Sequence, residues 1–122
     1  MKVLLVDDEE DFVTALAERL QLRGMEVQFA TDGETALRHM ETNPPDVVVL
    51  DMMMPGMGGG DVLKRMKAGH SQTPVILLTG HTSIDAGPAG VQQGAFDYLV
   101  KPVDISELIA KMENALRSGK SE

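Results

Sequence analysis

Three apolar runs and one mixed run in this chain each end on a residue able to do chemistry. Val3-Leu4-Leu5-Val6 stops at Asp7-Asp8, Val47-Val48-Val49-Leu50 at Asp51, Val75-Ile76-Leu77-Leu78 at Thr79, and Phe96-Asp97-Tyr98-Leu99-Val100 at Lys101. Brought together, Asp7, Asp8 and Asp51 would crowd carboxylates in a partly buried crevice. Such a cluster either holds protons or binds a hard cation. Mg²⁺ suits it, or Mn²⁺ in its place, because an ion of that kind accepts one or two carboxylates while keeping several waters. Thr79 and Lys101 each have an ordinary explanation: a threonine ending a strand commonly serves a turn or cap, and an exposed lysine is commonly just solvated. Beside an acidic crevice, a hydroxyl and an ammonium can both hold an anionic oxygen. Carboxylates, cation, hydroxyl and lysine together suit phosphoryl transfer, where positioning and charge neutralisation carry most of the catalysis. An aspartate is then the nucleophile, since its carboxylate can form an acyl phosphate.

That chemistry exists only if the fold gathers these positions. Short, saturated apolar runs are expected for strands buried on both faces, inside a parallel sheet. Between them lie helical patterns. Phe12, Leu16 and Leu20 recur at four-residue spacing and Gly24 ends the segment; Asp32 can cap a helix carrying Ala36, Leu37 and Met40; a third helix holds Val62, Leu63 and Met66. Asp104 with Glu107 three residues on forms a capping-box pattern, opening a helix whose apolar face is Ile105, Leu108, Ile109, Met112 and Leu116. The half-polar strand Glu26–Phe29 and the fifth strand belong at the edges, the three apolar ones at the centre. Right-handed crossovers then favour a doubly wound α/β fold, a five-stranded parallel sheet in the flavodoxin-like order 2-1-3-4-5. In that order the switch point lies between strands one and three, where Asp7, Asp8 and Asp51 meet.

Composition narrows the function. The chain has 122 residues, enough for one domain with an ordinary core, and no cysteine, which excludes disulfides, thiolate catalysis and Cys-ligated zinc. Methionine is plentiful at nine and tryptophan absent, so the core is aliphatic and adaptable. The formal net charge of −8 argues against direct nucleic-acid binding, which needs a basic surface. No stretch approaches membrane-spanning length and the first residues lack the layout of a cleavable signal, so a cytoplasmic protein is expected. Asp7 to Asp11 are five consecutive acids. Favourable charge at a helix N-terminus accounts for Glu10 and Asp11, but less well for Asp7 and Asp8 at the strand exit.

An Asp pair after strand one, Asp-Met-Met-Met-Pro-Gly-Met after strand three, Thr-Gly after strand four and Lys-Pro after strand five, in that order, resemble the receiver domain of bacterial two-component response regulators. The resemblance covers Lys2 to about Arg117, with the domain placed at residues 1–118 and 119–122 as a frayed tail or the start of a linker. It implies that Asp51 is the phosphoacceptor, taking its phosphoryl group from a sensor histidine kinase in a Mg²⁺-dependent reaction. Asp8 would bind the metal directly, with Asp7 assisting, Asp51 itself contributing and Met53 supplying its backbone carbonyl. Lys101 would pair with Asp51 and then with the phosphoryl oxygens, Thr79 would move to bond the phosphoryl group, and Tyr98 would swing inward behind it. From its residue type alone Tyr98 is a half-buried edge-strand aromatic. Met53 and His81 would flank the path of the attacking water, although His81 also suits a solvated loop; His39 and His70 have no evident partners and suit the surface. Lys101-Pro102 matches a bond often cis in the family.

The implied protein is a switch, not a turnover enzyme: it promotes its own phosphorylation and dephosphorylation, then biases a face that meets a downstream effector domain or protein, or a second copy in a phosphorylation-dependent homodimer. The competing function is a Mg²⁺-dependent phosphohydrolase with an Asp nucleophile. One segment departs from the family pattern. Between strands four and five, Gly87, Pro88 and Gly90 oppose a regular helix, proline costing about 3 kcal/mol and each glycine about 1. A shortened, irregular or mobile fourth helix is predicted, beginning near Pro88, with Gly87 near the cap, and ending by Gly94.

Overall fold

The computed structural model describes residues 1–70, 72–80 and 85–120, with side chains described to Ser118. Five strands alternate with five helices: β1 Lys2–Val6, α1 Glu10–Gln21, β2 Glu26–Ala30, α2 Gly33–Thr42, β3 Val47–Asp51, α3 Gly59–Gly69, β4 Val75–Thr79, α4 Ala86–Gln92, β5 Asp97–Val100 and α5 Ile105–Lys120. All pairings are parallel and the order is β2-β1-β3-β4-β5. The apolar runs fill the centre because β1, β3 and β4 are covered on both faces, which removes the need for alternation. Alternate residues of those strands feed two separate cores. Leu4, Val6, Val48, Leu50 and Leu77 pack with α2 and α3 through Met40, Val62, Leu63 and Met66. Val3, Leu5, Val49, Ile76 and Leu78 pack with α1 and α5 through Val13, Leu16, Leu20, Leu108 and Met112.

Local chemistry sets the ends. After α1, Gly24 takes φ +85°, a conformation that favours glycine, while Met25 N–H closes the turn on Leu20 O at 3.3 Å. The Asp32 carboxylate caps α2, accepting from Thr35 N at 2.7 Å, and Asp104 accepts from Glu107 N at 3.1 Å. β5 begins at Asp97, one residue later than the alternation suggests, although Phe96 N–H still bonds Val75 O at 2.8 Å. α5 runs through Lys120.

The fourth helix is short, seven residues, but it starts at Ala86, two residues before the expected position. Asp85 is already in right-handed helical geometry and its carbonyl accepts from Ala89 N at 3.2 Å. Pro88 therefore occupies the first turn, where an N–H has no helical partner to lose. Gly87 lies inside the helix rather than at its cap. A Cβ there would collide with the Tyr98 ring, and one at Gly90 with Leu77, so these glycines let α4 approach the sheet closely. His81 and Ile84, at the start of this segment, lie outside the described residues.

Candidate functional site

Register aligns the strand exits. Val6 pairs with Leu50, so Asp7 and Asp51 sit on adjacent strands at neighbouring levels. Asp51 pairs with Leu78 and Thr79 with Val100, which sets Thr79 and Lys101 further along the same rim. Two backbone bonds stitch that rim together: Met52 N to Leu78 O at 3.0 Å and Lys101 N to Thr79 O at 2.7 Å. α3 begins hard against it, since a Cβ at Gly59 would lie 2.7 Å from the Asp51 carbonyl oxygen.

Carboxylate oxygens from Asp7, Asp8 and Asp51 lie within 4.8 Å of one another. Asp7 and Asp51 are only 2% and 3% exposed, whereas Asp8 faces solvent. Backbone donors orient the two buried groups, Glu9 N–H to Asp7 Oδ1 at 2.9 Å and Met53 N–H to Asp51 Oδ1 at 3.1 Å. Lys101 Nζ donates to Asp7 Oδ2 at 2.8 Å and to Glu9 Oε1 at 3.1 Å, lies 3.8 Å from Asp51 Oδ2, and sits 4.5 Å from the centre of the Phe12 ring.

Burial pushes the Asp51 carboxyl up to about 6; Asp7 and Asp8 add to the rise, while the Met53 N–H and Lys101 oppose it. Burial alone would lower the Lys101 ammonium, but its bonds to Asp7 and Glu9, with the Asp51 charge, outweigh that and raise it. One ammonium among four carboxylates leaves the site electronegative. The donors are all hard oxygens, two buried and one open to solvent, and a divalent cation would offset both the lost hydration and the carboxylate repulsion that raise the proton affinity of Asp51. The residues therefore fit Mg²⁺ or Mn²⁺.

Asp7, Asp8, Asp51 and Lys101 thus converge. Thr79 stands beside them, fully buried, its hydroxyl donating to Leu99 O across a long 3.5 Å. Tyr98 lies on β5 with its ring against Gly87, in the cluster beneath α2 and α3. Met53 meets Asp51 through its backbone N–H, and its side chain is exposed. His39 and His70 do have partners: Nδ1 of His39 is 2.9 Å from Gln28 Oε1, and Nε2 of His70 is 3.2 Å from Glu41 Oε1, because α2 lies against β2 and α3. Glu9 and the Phe12 ring, both around Lys101, are the site members that sequence reasoning missed. Phe12 carried only a helix-face signal, and Glu9 was one acid among five.

A family model described as the response regulator receiver domain matches residues 3–113. The chain is 42% identical over 116 residues to transcriptional regulatory protein PrrA of Mycobacterium tuberculosis, covering 95% of this chain and 50% of that one. It is 38% identical to regulatory protein AtoC of Escherichia coli, again over 95% of this chain but 25% of AtoC. Its structure superposes on a response regulator receiver domain protein from Clostridium thermocellum with a TM-score of 0.92 and 36% identity, covering 98% of this chain and 96% of that one. The chain thus spans about half the length of PrrA and a quarter of AtoC.

Proposed function

This chain belongs to the response regulator receiver domain family, and on that footing we propose that Asp51 is the residue phosphorylated, with Asp7, Asp8, Thr79 and Lys101 as its machinery. The observation that carries the assignment is the convergence of three carboxylates with Lys101 Nζ, 2.8 Å from Asp7 and 3.8 Å from Asp51. In the reaction, an Asp51 carboxylate oxygen forms a bond to phosphorus as the phosphorus–nitrogen bond of a kinase phosphohistidine breaks, leaving the imidazole as leaving group. Its 3% exposure strips the carboxylate of much of its hydration. The Met53 N–H holds one Asp51 oxygen and so directs the other toward the incoming group. Lys101 neutralises charge on the transferring phosphoryl oxygens, and the Thr79 hydroxyl turns from Leu99 O to donate to one of them. Asp7, Asp8, Asp51 and the Met53 carbonyl would hold Mg²⁺ or Mn²⁺, which when bound neutralises phosphoryl charge and orients the group.

Movement of Thr79 and Tyr98 would then alter the face formed by α4, β5 and α5, where a downstream effector or a second copy docks. A sensor kinase upstream and a cytoplasmic setting complete the proposal. Receiver domains are in general not turnover enzymes, and the phosphohydrolase alternative is not favoured, since the relatives are regulators. Incubation with acetyl phosphate and Mg²⁺, followed by intact mass, tests the assignment. The parent gains one phosphoryl group and Asp51→Asn gains none; addition to both removes Asp51 as acceptor.

A further inference from the structure

We propose that Glu9 is a positioning residue for phosphoryl transfer, its carboxylate tethering the Lys101 ammonium at a distance from Asp51. The inference rests on the reading of Asp51 as phosphoacceptor and goes beyond it, because Glu9 touches neither the nucleophile nor the incoming group. An ammonium has three donors. One is taken by Asp7 at 2.8 Å and one by Glu9 at 3.1 Å, while Asp51 at 3.8 Å is beyond hydrogen-bond range. The Phe12 ring, 4.5 Å away, closes another side. Lys101 is thus held by α1 and its leading loop rather than by the group it has to serve.

Helix capping does not explain Glu9. It occupies the N-cap of α1, where glutamate is a poor choice, and its side chain makes no capping bond. Its backbone is fixed instead by the 2.9 Å bond from its N–H to Asp7, which turns the side chain back over Lys101. The carboxylate is 66% exposed, so the tether is weak and readily broken. Releasing it lets the ammonium close the 3.8 Å gap to Asp51 and reach the phosphoryl oxygens there, which speeds transfer.

The test compares initial phosphorylation rates with acetyl phosphate at saturating Mg²⁺ for the parent, Glu9→Ala, Glu9→Asp and Glu10→Gln. Aspartate keeps the charge but is one methylene short of Lys101, and it caps α1 better, so its stability and its rate report on different roles. Both Glu9 variants are expected to react about two- to fivefold faster than the parent, the range set by an exposed ion pair. Glu10→Gln, which removes the same charge from a residue outside the Lys101 contacts, is expected to stay near the parent rate. In metal-free ¹⁵N-lysine-labelled protein, the Lys101 ammonium signal, assigned by its loss in Lys101→Arg, should broaden in both Glu9 variants. Parental rates in Glu9→Asp, or an unchanged ammonium signal in both variants, would overturn the tether. A parent that takes up no phosphoryl group on Asp51 would overturn the underlying assignment instead.

Discussion

Asp51 is asked to stay ionised where burial and two neighbouring aspartates oppose it. Its folded-state proton affinity is raised from near 3.8 to about 6. The folded protein therefore binds this proton more tightly than the unfolded chain, so the associated stability is present below about pH 4 and lost as pH rises through about 6. In EDTA, urea unfolding of the parent should lose on the order of 2 kcal/mol across that window relative to Asp51→Asn, in which the titration is absent. Equal pH dependence in the two proteins would contradict the raised affinity. At this scale the placement of Asp7, Asp8, Asp51, Thr79 and Lys101 on one rim was legible because each lies at the exit of an expected strand, and a strand end is a place sequence can locate. Glu9 was not. Which of five consecutive carboxylates bends back to a lysine 92 residues away depends on one backbone hydrogen bond that no spacing encodes.

The same contrast holds for α4. Its shortness was legible from proline and glycine, whose costs are intrinsic to the backbone. Its start was not, because proline is tolerated throughout a first turn and the choice falls to Asp85, already in helical geometry. The glycines, a cost in isolation, are returned as proximity, since Gly87 lies against Tyr98 and Gly90 against Leu77. Gly87→Ala should therefore destabilise the protein by about 1–2 kcal/mol, overpacking outweighing the helix propensity gained. Tyr98 is the only tyrosine and tryptophan is absent, so intrinsic emission isolates that ring. Its quenching by acrylamide should rise in the variant as the ring is displaced. A variant more stable than the parent with unaltered quenching would show that α4 can yield without disturbing Tyr98.

For the whole molecule, parallel strands put every reactive strand end on one rim, and that much followed from burial patterns: wholly apolar β1, β3 and β4 had to be central, half-polar β2 and β5 at the edges. Burial on both faces followed too, but not the assignment of each residue to one core, because a saturated strand does not say which residue faces which helix. Gathering carboxylates on one rim costs stability that a bound divalent cation would restore. Mg²⁺ at about 100 times its dissociation constant should add ~2.7 kcal/mol, or roughly 10 °C in melting temperature. Asp8→Asn should lose most of that shift, and an equal response to sodium chloride of matched ionic strength would reduce it to screening. The sheet also acts as a partition. Tyr98 belongs to the compartment under α2 and α3, Leu99 and Phe12 to the one under α1 and α5, and the two clusters have no residue in common. Neighbouring residues of β5 therefore answer to different cores, so loosening one compartment by a large-to-small substitution should leave the side chains of the other largely in place.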